Sequence, residues 1–185
     1  MGEMLINIEL HWAHAWIFVF PVWLSGMLFS GLGKRNLKRA VDMSWYTGRD
    51  RFFSFLSMFA MFAFMICAAW IEVDYTSWWL YPGLLIIFLG AVGHWKAKLD
   101  FMRGHPDRHI HKGLYRFSRN PMYFSFSILM LGVVIITLSP LLLFIWLVSV
   151  LSTHLLILGE ESFCLQEYGP DFKNYLKSVP RYLFF

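Results

Sequence analysis

Charge is scarce in this sequence. Only 15% of its 185 residues are Asp, Glu, Lys or Arg, whereas a soluble domain carries about 25%. Hydrophobic residues make up 58% and the mean hydropathy is +0.53, so the chain reads as an integral membrane protein. Cysteine is scarce too. Cys67 lies in an apolar run and Cys164 near the C-terminus, and they form neither a metal motif nor an expected disulfide. Met1 to Leu10 contains no basic residue, so the first apolar run does not read as a cleaved signal. No repeat recurs at a fixed period and no tract is of low complexity. The net charge of +4 is not a nucleic-acid signature, because the basic residues are segregated by loop.

What remains is a series of apolar runs, each long enough to cross a hydrocarbon core about 30 Å thick at 1.5 Å per residue. Spans are expected at about 12–32, 52–71, 78–95, 121–138 and 140–159. Pro21 is a possible kink in the first, and Gly83, Gly90 and Gly93 suit close helix packing in the third. The run from Pro121 to Gly159 exceeds one helix, and Ser139-Pro140 divides it into a tight helical hairpin. All sixteen Lys and Arg residues fall after the first, third and fifth spans. The positive-inside rule then puts the N-terminus outside and the C-terminus in the cytoplasm. The expected fold is an all-α integral membrane protein of about five helices, a single domain over residues 1–185. Segments 96–120 and 160–185 are its cytoplasmic parts.

Histidines and carboxylates need weighing one by one. His11 and His14 have helical spacing, but no acidic or cysteine ligand completes a metal site. His105, His109 and His111 crowd one loop, which reads as solvated and headgroup-facing rather than as a zinc site. No metal is expected.

One stretch carries more. In Gly113-Leu-Tyr-Arg-Phe-Ser-Arg-Asn-Pro-Met-Tyr123, Pro121 suits a first helical position and Asn120 its N-cap. A helix N-terminus with Arg116 and Arg119 beside it attracts an anion. Gly113 permits a sharp turn, and Tyr115 and Tyr123 offer half-polar rings. The topology brings this loop to the end of the fifth span, where Glu160 and Glu161 stand at the membrane boundary, and to the tail. His154 lies on roughly the same helix face as Glu161. Taken alone, the carboxylates read as solvated, or as paired with Arg116, Arg119 or Arg181.

Together, the run Gly113-x-Tyr115-x-x-x-Arg119-Asn120-Pro121-x-Tyr123 and the later Glu160-Glu161, Tyr168-Gly169, Phe172, Tyr175, Val179 and Arg181 resemble a known signature. It is that of the isoprenylcysteine carboxyl methyltransferase and phospholipid methyltransferase superfamily. The resemblance implies a membrane enzyme that binds S-adenosylmethionine at the cytoplasmic face. Gly113, Tyr115, Arg119, Asn120, Pro121, Tyr123, Glu160, Glu161 and Tyr168 are its implied cofactor-binding residues, with Phe172 as further aromatic surface. Glu161, Arg181 and His154 are the implied catalytic residues. Glu160, Glu161 and His154 are the local bases, and Arg181 suits an acceptor carboxylate or phosphate.

Asn120 stands where many members carry His, and the polar stretch Asp100–Lys112 departs from the usual apolar lead-in. The expected partner is a lipid or lipidated acceptor, either a phospholipid amine headgroup or a prenyl-cysteine carboxylate. Two other readings stand beside this one: an NADPH-dependent reductase of the sterol-reductase type, and a non-catalytic membrane partner protein.

Overall fold

The computed structural model describes residues 14–20, 46–104 and 109–183. Of the first expected span it describes a short 3-10 turn, Ala15–Phe18, and its immediate neighbours; the rest of 12–32 lies outside the described residues. So do His11, most of the basic segment before Arg51, and His105 and Arg108.

Helix α1 (Gly48–Ala68) starts at a capping box. The Thr47 side chain accepts from Asp50 N at 3.3 Å, and Asp50 accepts from Thr47 N at 3.0 Å. Helix α2 (Leu80–Arg103) runs past the expected end near Trp95. Its last turns are polar but stay helical, with Lys96 and Asp100 paired one turn apart. A 3-10 turn, Gly113–Arg116, leads to helix α3 (Pro121–Thr137). Leu138, in the left-handed region at φ 47°, and Ser139 join it to helix α4 (Pro140–Ser178). Ser139 caps α4 by accepting from Leu142 N at 3.3 Å. Helix α4 does not stop at Gly159. It continues to Tyr168, breaks at Gly169 (φ 54°, ψ −129°), and resumes from Pro170.

Helices α1, α2 and α4 are long and apolar enough to cross a membrane, while α3 has 17 residues, about 25 Å of helix. Large apolar side chains face outward: Phe55, Phe59 and Ile66 on α1, Leu85, Phe88 and Leu89 on α2, Phe144, Leu147 and Leu151 on α4. Such surface suits lipid and not water. Phe64, Leu129, Met130, Val133 and Leu142 fill the interior.

The helices pack as two antiparallel pairs. On α1 and α4, Asp50 lies against Gly159, and Ser57 Oγ is 2.7 Å from Thr153 Oγ1. On α2 and α3, Gly83 and Gly90 meet Gly132 and Leu129. A Cβ on Gly90 would sit 2.8 Å from the Leu129 Cα, so the backbones touch only because these residues are small. Helices α3 and α4, joined by Leu138 and Ser139, touch through Trp146 Nε1, which donates to Ser127 O at 3.0 Å, but each contacts its pair partner more extensively. Antiparallel pairing puts the start of α1, the end of α2, the start of α3 and Gly159 of α4 at one end of the bundle. At the other end, Ala15 N donates to Ile71 O at 2.9 Å, and His14 comes within 3.9 Å of Glu72.

Candidate active site

The break at Gly169 turns the tail back over the loop before α3. Glycine is required by its positive φ, not by crowding, since a Cβ there would meet nothing within 4 Å. Pro170, lacking an N–H, begins the second segment without loss. The tail then docks on backbone groups. Tyr175 Oη donates to Tyr115 O at 2.7 Å, Arg119 N to Pro180 O at 3.0 Å, and Ser118 Oγ to Arg181 O at 3.1 Å.

This folding-back gathers charge. Arg181 holds Glu161 with Nη2 at 2.7 Å from Oε2 and Nε at 3.1 Å. Arg119 approaches from the loop side, its Nη1 donating to Leu176 O at 3.0 Å. Its Nε lies 3.1 Å from Glu161 Oε1, yet the N–H is not aimed at that oxygen, and the buried donor makes no hydrogen bond. Burial lowers the Arg119 pKa from its ordinary value against the opposing pull of Glu161. Hydrogen bonding to Glu161 raises that of Arg181.

Asn120 is at the N-cap position, but its side chain does not cap the helix as expected. It is buried and points its amide toward Glu161 Oε1 and Arg181 O, both at 3.5 Å. With φ at −127° and ψ at 51°, its backbone is away from the β-region geometry that lets a side chain reach the next turn. Pro121 occupies the first helical position. Arg116 is exposed and joins no ion pair among the described residues.

Tyr115, Arg119, Asn120, Glu160 and Glu161 line one cleft of about 70 Å³, with Phe101, His109, Cys164, Phe172 and Tyr175 completing it. The His109 ring stands among those of Tyr168, Phe172 and Tyr175, at centroid distances of 6.0, 5.7 and 5.1 Å. Tyr168 thus backs the cleft through His109. Gly113 does not line it. Its φ of +64° brings the chain onto Asp100, which accepts from Leu114 N at 2.9 Å. Tyr123 lies close to Glu160 on the outer side of α3. Adjacent carboxylates thus turn to different neighbours, Glu160 to tyrosine and Glu161 to arginine. Among the described residues no three His, Cys, Asp or Glu side chains converge as a metal site would need.

On that outer side, a groove of about 470 Å³ runs between α1, α3 and α4. Its lining is largely apolar, including Met61, Phe126, Met130, Leu131 and Leu151, and ends at Tyr123, His154 and Tyr182. Sequence reasoning had singled out His154 but missed Asp100, Tyr182 and the packing of His109. Asp100 alone left a trace, its position four residues after Lys96.

Lipid-facing helices that gather buried charge at one end, beside a lipid-side groove, define a membrane protein with a built polar site. Residues 83–171 match the family model described as phospholipid methyltransferase, a family of integral membrane methyltransferases. The match takes in the Gly113–Tyr123 block and Glu160-Glu161 and ends before Phe172, Tyr175 and Arg181. No curated protein and no solved structure matches the chain.

Proposed function

We propose that the chain transfers the methyl group of S-adenosylmethionine to the amine headgroup of a membrane phospholipid, with the basic end of the bundle facing the cytoplasm. One observation carries this reading. A charged cleft and an apolar groove flank the start of α3, Glu160 lining the one and Tyr123, close to it, lining the other.

The cleft residues fit the cofactor. Arg119 offers a buried Nε–H without an acceptor, which suits the cofactor's carboxylate. Glu160 and Glu161 favour its positive charge, and Tyr115, His109, Phe172 and Tyr175 offer faces for a purine or a sulfonium. When bound, S-adenosylmethionine supplies an electrophilic methyl group. At about 70 Å³ the cleft is far below the roughly 300–1,000 Å³ of ligand pockets. A cavity of about 520 Å³, lined by Asp100, Arg103, His111 and Lys112, shares His109 and Ile110 with it and supplies the remaining room for the cofactor.

The groove supplies the route for the acceptor. Its apolar walls suit acyl chains, and its polar end lies beside the cleft, so the chain's main task is alignment of two bound molecules. Among the described residues no Lys or Arg lines the groove, and Arg119 and Arg181 both face Glu161. An amine headgroup therefore suits it better than a prenyl-cysteine carboxylate, which would lack a counter-ion there.

The test is calorimetric titration of S-adenosylhomocysteine into the detergent-solubilised protein. Wild type is expected to bind, and Arg119→Ala and Glu161→Gln to bind at least about tenfold more weakly, each losing a charge-assisted contact. A folded wild type that binds none sinks the proposal. Methylation of phosphatidylethanolamine against a prenylated cysteine then decides the acceptor.

A further inference from the structure

Among the described residues the groove carries one imidazole. His154 Nδ1 lies 2.9 Å from Tyr182 Oη, the two rings 6.1 Å apart between centroids. Tyr182 follows Arg181 directly, so the segment that grips Glu161 also delivers this hydroxyl into the groove. Its ring is backed by Phe124 on α3 at 6.1 Å. Burial raises the Tyr182 pKa above the ordinary tyrosine value, so the phenol stays neutral wherever the protein works. Three other hydroxyls of the groove have partners. Ser57 and Thr153 pair with each other, and Ser127 accepts from Trp146 Nε1 at 3.1 Å.

We infer that His154 is the proton acceptor for the lipid amine and that Tyr182 positions it, holding Nδ1 so that Nε2 meets the amine at the polar end of the groove. This rests on the amine-acceptor reading above. A primary alkylamine is an ammonium ion at neutral pH and has no lone pair for attack. The ammonium N–H bond breaks, its electron pair stays on nitrogen, and the proton passes to Nε2. The freed pair forms the new N–C bond to the methyl group as the C–S bond breaks and its pair returns to sulfur. Each turnover thus releases one proton, which leaves His154 from Nε2 once the product has departed, restoring the Nδ1–H tautomer. Acceptance at Nε2 requires the tautomer with hydrogen on Nδ1, which Tyr182 Oη stabilises by accepting from it. A hydrogen-bonded base oriented by a third group is the general arrangement for such a step.

Other charges near His154 are few. Among the described residues, helix α3 contributes Tyr123, close to Glu160; α1 contributes Ser57 and Met61; the tail contributes Tyr182, with the Arg181 guanidinium turned to Glu161.

The experiment uses the full chain in nanodiscs containing phosphatidylethanolamine. His154→Gln keeps a hydrogen-bonding partner for Tyr182 without a base, and should lower kcat on the order of a hundredfold while S-adenosylhomocysteine binding is unchanged. Tyr182→Phe should lower kcat about tenfold and leave cofactor KM unchanged. In 15N-histidine spectra of the ligand-free protein, the His154 signal should lose its bias to the Nδ1–H tautomer in Tyr182→Phe. A His154→Gln variant as active as wild type overturns the inference while sparing the proposed function. So does a Tyr182→Phe variant whose cofactor binding falls as far as its turnover, since that marks a structural role only. A wild type that binds S-adenosylhomocysteine yet methylates no amine overturns it as well. A wild type that binds none removes the methyltransferase reading and the inference with it.

Discussion

At Gly113 two constraints coincide. The backbone has φ +64°, and a Cβ would overlap the Asp100 carboxylate that holds the Leu114 amide. A left-handed backbone costs an L-residue about 1–2 kcal/mol, and the overlap adds to it by pushing Asp100 off its donor. Gly113→Ala should therefore lower the thermal midpoint in detergent and weaken S-adenosylhomocysteine binding. Gly48→Ala, in open space at the first turn of α1, should do neither. The two are compared by tryptophan fluorescence melting and calorimetry. The need for a turn at Gly113 is legible in the sequence. The partner that enforces it is not, because Asp100 is fourteen residues from Leu114 and no local pattern links them.

Among elements, the α2–α3 pair depends on small residues more than on any polar contact. Gly90 approaches the Leu129 backbone with Leu129 N 2.5 Å from where a Cβ would be. Backbone cannot move aside as a flexible side chain can, so Gly90→Ala must separate the helices. Overpacking of this kind costs about 1–3 kcal/mol, and the expected result is a lower midpoint in SDS or thermal unfolding of the purified protein. The glycines were readable as packing residues, since an apolar run with several of them has few other uses. Helix ends were less readable. The polar turns Lys96–Arg103 and Glu160–Tyr168 look like loops by hydropathy, yet Lys96–Asp100 and Glu161–Arg181 give their polar side chains partners within the fold.

Over the whole molecule, the two proposed roles fall to separate cavities at one end of the bundle. The cleft is charged and closed by the tail; the groove is apolar and open toward lipid. Filling one should leave the other intact. Ser149→Phe, on the α4 wall of the groove, is expected to raise KM for phosphatidylethanolamine severalfold while S-adenosylhomocysteine affinity stays at the wild-type value. Parallel losses of both would mean that the groove and cleft are not separate sites.

Composition and loop charge depend on nothing outside each segment, so the sequence by itself determined the membrane class, the apolar runs and the short list of chemical residues. The family signature is also a matter of local spacing. Tertiary structure alone decided how that list is wired. Successive residues on a helix point about 100° apart, so Glu160 and Glu161 face different neighbours: Tyr123 for one, Arg119 and Arg181 for the other. The fold-back at Gly169 then brought Tyr182 to His154 across twenty-eight residues. Contacts at that separation follow from how helices pack, and a one-dimensional pattern carries no record of them.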